Sequence, residues 1–234
     1  ERRIILVNLY PQCNSPMGCG VRKNALERTA YALLTKKASF DDIVVPSTHG
    51  NFDVLPANGD LVAAEVELLN EIGREHRLRI GLNEVRSRYD YIVIDCPPSL
   101  NMLTVNALSA ADGVIIPMQC EYYALEGLAA LMTTIEQIKE TINPDLKISG
   151  ILRTMYDPRN SLTKDVSEEL EEYFGDQVFK VAIPRNVRLA EAPSHGMRAL
   201  DYDKVSRGAI AYLALAGEIV RKTKKDSQPT LVAV

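Results

Sequence analysis

The sequence predicts an α/β domain with a doubly wound, mostly parallel sheet and helices on both faces. Short apolar runs alternate along the chain with longer segments of helical period. Most of the short runs are apolar without interruption, as is typical of strands buried on both faces. No internal repeat and no Gly/Ser-rich linker is present, which predicts a single domain over residues 1–225 followed by a polar tail over 226–234.

Six apolar runs predict the strands. They are residues 3–9, 51–56, 89–95, 113–118, 147–154 and 178–183. Four segments of helical period predict the main helices, at residues 61–72, 125–142, 161–174 and 206–222. Asp60 is the expected N-cap of the first helix, Pro144 follows the second, and Gly175 ends the third.

The composition is that of an ordinary folded domain. The chain has 234 residues, of which 46% are hydrophobic and 25% charged, and its formal net charge at pH 7 is −4. These values argue against a disordered, collagenous or coiled-coil protein. Because the net charge is slightly negative, binding to nucleic acid would require a local basic patch.

The cysteines, histidines and apolar windows predict a cytoplasmic protein without a metal or redox centre. No pair of cysteines has the C-x-x-C spacing of a zinc or thioredoxin-like site, and the three histidines lie far from Cys13 and Cys19 in sequence. No window of about 18 apolar residues is present, and the N-terminus lacks the pattern of a signal peptide.

One strand ends in a residue suited to ligand chemistry. The run over residues 89–95 is apolar at its centre and ends in Asp95, which is followed by Cys96, Pro97 and Pro98. In a doubly wound fold, ligands bind at the carboxyl ends of the parallel strands, and an Asp there can hold Mg²⁺. An Asp at this place can also simply cap the next helix, but the two prolines favour a rigid turn that directs the carboxylate outward.

Several longer blocks resemble the ParA/Soj family of chromosome and plasmid partition ATPases. The blocks are YDYIVIDCPPSL, ADGVIIPMQCEYYALEGL, TMYDPR, IPRNVRLAEAPSHG and YDKVSRGAIAYLALA. The resemblance extends from Arg2 to about Val220. It implies a P-loop NTPase-like fold that binds ATP and Mg²⁺ and forms a homodimer around the nucleotide. It also implies nonspecific DNA binding and stimulation by a ParB/Spo0J-like partner, in the cytoplasm and on the nucleoid, without stable membrane association.

The sequence departs from the family at its front. Family members begin with a strand, a phosphate loop of the type K-G-G-V-G-K-T and a helix, and no G-x-x-x-x-G-K-[ST] occurs in these 234 residues. Without the loop, the phosphates lose their backbone N–H donors and their lysine. The missing strand is central in the family sheet, so its loss would expose two rows of backbone groups unless the neighbouring strands close the gap.

A second departure lies within the matching part. Where the family has D-x-D-P-Q-G-N, this chain has Asn8, Tyr10 and Cys13 in place of the two acidic residues and a glycine. A neutral amide and a phenol cannot organise Mg²⁺ and the attacking water. The sequence therefore predicts no catalytic residue for hydrolysis, and weak or absent binding of ATP and Mg²⁺.

The resemblance implies roles for six retained residues. Asp95 matches the Walker B Asp and would hold Mg²⁺, while Met155, Pro184 and Asn186 match positions near the adenine. Without the resemblance, Asn186 would be interpreted as a turn residue. Arg159 and Arg188 match arginines that bind DNA nonspecifically in the family.

Local charge agrees with a DNA-binding surface. Residues 181–207 contain five basic and three acidic side chains, a net charge of 5 − 3 = +2. Arg221, Lys222, Lys224 and Lys225 form a second basic cluster, which can equally be a solvated helix end. Tyr122 and Tyr123 match positions near the family's dimer and nucleotide face, but packing is their expected role.

Two hypotheses follow. The first is a ParA/Soj-type partition protein whose opening unit precedes Glu1. The second is a degenerate, non-hydrolysing ParA-like regulator that binds DNA or a partner, as Asn8 and Tyr10 suggest. A MinD-like membrane protein is a weaker interpretation, because residues 222–234 lack an amphipathic helix with a broad apolar face. An iron-sulfur role for Cys96 and Cys120 is also disfavoured.

Overall fold

The computed structural model describes residues 2–11, 28–48, 50–223 and 230–234, and a seven-stranded sheet runs through it. In chain order the strands are β1 (Ile4–Asn8), β2 (Val45–Pro46), β3 (Asp53–Leu55), β4 (Tyr91–Asp95), β5 (Gly113–Gln119), β6 (Lys147–Thr154) and β7 (Thr230–Ala233). Their order across the sheet is β2-β3-β1-β4-β7-β5-β6. All neighbours pair in parallel except β2 and β3, which confirms the predicted mostly parallel sheet.

Helices connect the parallel strands. They are α1 (Ala30–Leu34), α2 (Leu61–Leu68), α3 (Arg77–Asn83), α4 (Met102–Ala110), α5 (Ala124–Thr141), α6 (Ser161–Phe174), α7 (Val187–Glu191), α8 (Ala199–Tyr202) and α9 (Arg207–Thr223), with short 3₁₀ turns between some of them. In the parts of the chain that the structure describes, none of the helices has the length and apolar character needed to cross a bilayer.

The two faces of the sheet are covered by separate apolar clusters. Alternate residues of β1 and β4, such as Val7 and Ile94, are fully buried in the larger cluster. On the other face, Ile115 and Leu152 pack with Leu215 of α9 and with Phe179. Continuous apolar runs are therefore needed in the central strands, because each face meets a helix layer.

Some predicted elements differ in the structure. The segment over 178–183 forms no strand: it contacts β6 through one isolated bridge, Ile151 to Val178, and through hydrogen bonds from the Phe179 and Ile183 N–H groups. A second bridge, Tyr156 to Pro184, lies just beyond both segments. Asp60 precedes α2 but makes no side-chain capping bond. The helix predicted over 61–72 ends at Leu68, and the next residue, Leu69, is exposed.

The end of the chain is not only the predicted polar tail. Residues 230–233 form β7, and Leu231, Val232 and Ala233 are buried. β7 lies between β4 and β5 and pairs in parallel with both. The two neighbouring strands therefore do not close the expected gap at the centre of the sheet. A short apolar segment from the far end of the sequence fills it, because these residues can pair on both edges and bury side chains on both faces.

Candidate functional site

The six parallel strands direct their carboxyl ends to one edge of the sheet. Asn8 ends β1 and pairs in register with Asp95, which ends β4. Thr154 ends β6, three strands beyond β4 on the far side of β7 and β5. With strands about 4.8 Å apart, the ends of β4 and β6 are roughly 14 Å from each other along this edge. The predicted site residues accordingly fall into two groups, one at each position.

At the β1 and β4 end, Asn8 has replaced an acidic residue of the family pattern. Its side chain is fully buried, and its Oδ1 accepts a hydrogen bond from the Tyr10 backbone N–H at 2.7 Å. Within the described ranges, its Nδ2 has no hydrogen-bond partner. The unsatisfied group is therefore a donor, which suits an anion or a water oxygen and cannot be a ligand for a cation.

Asp95 is held in place by its backbone. Its carbonyl oxygen accepts from the Leu9 N–H at 2.9 Å, and the next residue, Cys96, donates its N–H to the Val234 carbonyl at 3.0 Å. Burial, reinforced by the nearby Asp95 carboxylate, raises the pKa of the Cys96 thiol to about 12. The thiol is thus protonated at neutral pH, which removes its nucleophilic and metal-binding form.

The donor set at this end does not fit a magnesium ion. Mg²⁺ takes hard oxygen ligands and is usually held by one or two carboxylates together with phosphates. Across the described ranges, no three His, Cys, Asp or Glu residues cluster closely enough to hold a metal ion. Asn8 adds an N–H donor beside Asp95 instead of a second carboxylate. Asn8 and Asp95 together therefore lack the ligand set of a magnesium site.

At the β6 end, Met155 has an unusual backbone conformation. Its φ is +51°, a left-handed value that non-glycine residues rarely adopt, and its side chain is 43% exposed. Such a conformation costs on the order of 1–3 kcal/mol and persists only where the surroundings impose it. The neighbouring Tyr156 explains it: its N–H donates to the Ile183 carbonyl at 3.0 Å, and its carbonyl accepts from the Arg185 N–H at 3.1 Å.

These two hydrogen bonds join the loop after β6 to the turn around Pro184. They bring together Met155, Pro184 and Asn186, the three residues that the resemblance assigns to the adenine. Asn186 is the N-cap of α7, with its Oδ1 accepting from the Arg188 N–H at 2.8 Å. Asn186 therefore caps a helix, whereas the sequence alone favours a turn residue at this position.

Two buried charges that the sequence analysis missed hold this turn. Arg153 of β6 is 7% exposed and donates to the Phe179 and Lys180 carbonyls at 2.9 and 3.3 Å, and also to Ser167 and Glu171 of α6. Glu218 of α9 is 6% exposed and accepts from the Lys180 and Val181 N–H groups at 3.0 and 3.2 Å. These contacts occupy the backbone groups that a further strand would use, so the segment over 178–183 forms no ladder.

A sequence signal for both residues exists. Arg153 interrupts the apolar run of β6, and Glu218 lies three residues after the buried Leu215 on the inner face of α9. A charged residue at a position of apolar period is a candidate for a buried ionic contact.

Arg159 and Arg188 both lie beside this turn. Arg159 pairs bidentately with Asp157, at 2.9 Å to Oδ1 and 2.8 Å to Oδ2, and its side chain is 88% exposed. The pairing lowers the pKa of Asp157 to about 2 and raises that of Arg159. Arg188 contacts two carboxylates, Glu191 at 2.8 Å and Asp203 at 3.6 Å, and its hydrogen bond to Glu191 raises its pKa. Both arginines are therefore charged and oriented by acidic neighbours.

The ion pairs change the charge estimate for residues 181–207. All three acidic residues there contact arginines, with Arg198 bound to Asp201 at 2.6 Å. Within the described part of the chain, Arg185, Lys204 and Arg207 form no ion pair, so these three cations add most directly to the local positive potential.

The remaining predicted residues divide into three cases. Tyr122 and Tyr123 are 73% and 75% exposed and contact each other edge to face, so the prediction that they are half-buried packing residues is wrong. Lys222 lies over the Phe179 ring and donates to the Asp176 carbonyl, which ties part of the terminal basic cluster to the domain. Cys13, Cys19, His49, Lys224 and Lys225 lie outside the described residues.

Comparison with known proteins identifies the family. A family model described as an AAA domain (AAA_31) matches residues 1–148. The sporulation initiation inhibitor protein Soj of Bacillus subtilis is 50% identical over 218 residues, covering 93% of this chain and 86% of Soj. The chromosome partitioning protein ParA of Myxococcus xanthus is 47% identical over 233 residues, covering 100% of this chain and 82% of that protein.

A solved structure agrees with the fold. The crystal structure of cobyrinic acid a,c-diamide synthase from Mycobacterium smegmatis, with bound ADP and magnesium, is 34% identical with a TM-score of 0.82. The alignment covers 98% of this chain and 86% of that one. Two relatives near 50% identity over nearly the whole chain, together with the parallel sheet, show that this chain belongs to the ParA/Soj family of partition ATPases.

Proposed function

We propose that this chain is a chromosome or plasmid partition protein of ParA/Soj type that binds DNA without sequence preference through Arg159 and Arg188. The observation that carries the proposal is the pairing of Tyr156 with Pro184, which brings the two loops bearing these arginines together at one end of the sheet. Both guanidinium groups are exposed there. Relatives close in sequence are named chromosome partitioning proteins, which supports the same cellular role.

The acidic neighbours of the arginines set how DNA would bind. A DNA phosphate would replace Asp157 on Arg159, and Glu191 or Asp203 on Arg188, so one anion exchanges for another. Exposed ion pairs contribute little to stability, so breaking them for this exchange costs little free energy. The gain comes from release of the counterions condensed on DNA, which depends on salt and not on base sequence.

Nucleotide is the second component of the proposal. In this family ATP and Mg²⁺ accompany DNA binding, and a structural neighbour was solved with ADP and magnesium. In this chain, Met155, Pro184 and Asn186 would contact the base, and Asp95 lies at the phosphate end. Because Asn8 is a neutral donor where the family has a carboxylate, we propose that Mg²⁺ binds weakly or not at all at these residues.

The DNA proposal is tested by fluorescence anisotropy with a random-sequence duplex at several salt concentrations. Replacing both Arg159 and Arg188 with Ala should make the negative slope of log affinity against log salt less steep by about 2, because each phosphate contact contributes about 0.9 to it. Arg79→Ala, at an exposed arginine on α3, is the matched control and should leave the slope unchanged. Equal slopes for the double variant and the wild type would contradict the proposal.

A second candidate is a non-hydrolysing regulator, and the buried Asn8 amide favours it. Isothermal titration with Mg·ATP separates the two candidates. No heat of binding, together with intact DNA binding, would favour the regulator. Micromolar binding followed by phosphate release would exclude it.

Partners are proposed on the same basis. A ParB-like protein is the expected stimulating partner, a homodimer the expected assembly, and the nucleoid the expected location. Light scattering after gel filtration, with and without ATP, tests the assembly. A mass near the monomer's 26.0 kDa under both conditions would contradict a nucleotide-dependent dimer.

A further inference from the structure

The exposed face of α2 is apolar. Val62, Val66 and Leu69 recur at the i, i+4 and i+7 spacing that places side chains on one face of a helix, and each is more than half exposed. Leu69 follows the last residue of α2 but keeps helical backbone angles, with φ −55° and ψ −33°. Ile72, in the turn that follows, is 96% exposed. These four side chains form what we call the α2 stripe.

The opposite face of α2 is already committed to the core. Leu61, Ala64 and Leu68 are buried there in the larger apolar cluster. The helix is therefore apolar on two sides, whereas a surface helix normally carries polar residues on its outer face. α6 has that ordinary pattern, with charged side chains at the exposed positions Lys164, Asp165, Glu168, Glu169 and Glu172. Large apolar side chains that are exposed together, as distinct from singly, mark an interaction surface.

The segment that carries the α2 stripe is acidic. Residues 57–73 contain four carboxylates and no lysine or arginine, a net charge of 0 − 4 = −4. Glu67 and Glu71 form ion pairs with neighbouring cations of α3 and of the turn after α1. Within the described part of the chain, Asp60 and Glu65 form no ion pair, and each accepts a hydrogen bond from a side-chain amide at 2.8 Å. Their negative charge is therefore available to a partner.

These charges decide among the possible occupants of the stripe. A second copy of the chain would bring like carboxylates together, and four side chains are far fewer than the roughly 20–30 residues that each partner contributes to a stable dimer. DNA and an anionic bilayer are both negatively charged, and helices that bind bilayers carry cations on their polar face. The stripe and its charges instead match a helix that is apolar on one face and basic beside it.

We propose that the α2 stripe docks a basic amphipathic helix of a partner protein. Apolar side chains of that helix at i, i+4 and i+7 would pack along the stripe, a common mode of helix recognition. Arg74 donates to the Leu69 carbonyl at one end of the stripe, so the partner's cations would lie at the other end, beside Asp60 and Glu65. The proposal does not depend on nucleotide or DNA binding, so its test is separate from that of the proposed function.

The test uses the full chain and a fluorescein-labelled model helix of leucine, alanine and lysine, with leucine along one face and lysine beside it. Val66→Lys places a cation in the middle of the stripe. Val205→Lys, at a similarly exposed valine outside the stripe, is the matched control. In fluorescence anisotropy, Val66→Lys should weaken binding of the peptide by about tenfold or more, and Val205→Lys should resemble the wild type. A peptide with glutamate in place of lysine should bind the wild type about tenfold more weakly.

Three results would overturn the proposal. The first is equal binding of the lysine peptide by the wild type and by Val66→Lys. The second is flotation of the wild type with phosphatidylglycerol vesicles that is lost in Val66→Ser, which would assign the stripe to a membrane. The third is a dimer in light scattering that Val66→Ser converts to a monomer, which would assign the stripe to a second copy.

A measurement on the wild type locates the bound peptide without any variant. In methyl NMR spectra, the saturating lysine peptide should shift the resonances of Val62, Val66 and Leu69 and leave those of Val205 unchanged. Shifts confined to methyl groups outside the α2 stripe would overturn the proposal, and so would a spectrum that the peptide does not change.

Discussion

The carboxyl ends of the parallel strands carry different structures beside β4 and beside β6. Beside β4, the fold is regular, but the chemistry is reduced to Asp95 and a buried Asn8 amide whose Nδ2 has no acceptor among the described residues. Beside β6, the backbone is irregular, with a left-handed Met155 and two buried charges holding the turn. The comparison teaches that continuous apolar strands maintain the sheet, while the carboxyl ends of those strands can lose acidic residues without losing the strands themselves.

The largest loss of stability is expected when an acidic residue replaces Asn8, beside the end of β4. Asn8→Asp would bury a carboxylate beside Asp95, and an uncompensated buried charge costs about 3–5 kcal/mol. Urea unfolding at pH 7 should show this loss, and millimolar Mg²⁺ should recover part of it, because two carboxylates can bind the ion. Asn83→Asp, the same substitution at an exposed site, should change stability by less than about 0.5 kcal/mol. If Mg²⁺ does not change the free energy of unfolding of the variant, the Asp95 carboxylate does not face this position.

At the β6 end, Glu218 is the residue whose loss should cost most. Glu218→Ala leaves the Lys180 and Val181 N–H groups without an acceptor, at about 1–3 kcal/mol for each buried group. We expect a total loss of about 2–6 kcal/mol in the free energy of unfolding. Glu169→Ala on the exposed face of α6 is the control. If Glu218→Ala and the control lose the same small amount, the carboxylate does not support this segment.

A smaller effect of opposite sign is expected at Met155. Met155→Gly removes the strain of a positive φ, about 1–3 kcal/mol, against an entropic cost of about 0.5–1 kcal/mol for glycine. The variant should therefore be more stable by about 0.5–1 kcal/mol, as measured by thermal unfolding. Met197→Gly, at a similarly exposed methionine outside the left-handed region, should lose stability instead. Destabilisation at both positions would show that the Met155 side chain matters more than its backbone.

The smallest effect concerns the exposed pair of Asp157 and Arg159. The pKa of Asp157 is lowered to about 2 from an ordinary value of 3.8, so its stabilising contribution is present above pH 3.8 and disappears as the pH falls through about 2. In Arg159→Ala, the pKa of Asp157 should move back towards its ordinary value. An NMR titration of the Asp157 carboxyl carbon measures this directly. An unchanged pKa in the variant would assign the shift to other groups.

Sequence reasoning predicted the strands that read as unbroken apolar runs. The predicted bounds of β1, β4, β5 and β6 were correct within two residues at each end, because burial on both faces leaves little choice of residue type. The segment over 178–183 has the same apolar character but forms no strand, because Arg153 and Glu218 take its backbone groups. β7 was missed because its few apolar residues follow a polar stretch, and only pairing with distant strands gives them a place.

The site was predicted in parts. Asp95 was predicted because an acid after a buried strand stands out, and the resemblance supplied Met155, Pro184 and Asn186, which lie in two loops that the structure joins. The ion pairs of Arg159 and Arg188 could not be predicted from local net charge, because they depend on which side chains the turns bring face to face. The same limit applies to the exposed Tyr122 and Tyr123.

The central position of β7 also bears on protein synthesis. The bond between Leu231 and Asp112 spans 119 residues, so β4 and β5 leave the ribosome long before the strand that joins them. At 5–20 residues per second, this interval lasts about 6–24 s, during which both strand edges are open to other chains. Nascent chains of this protein should therefore depend on ribosome-associated chaperones more than those of a domain whose sheet closes from strands adjacent in sequence.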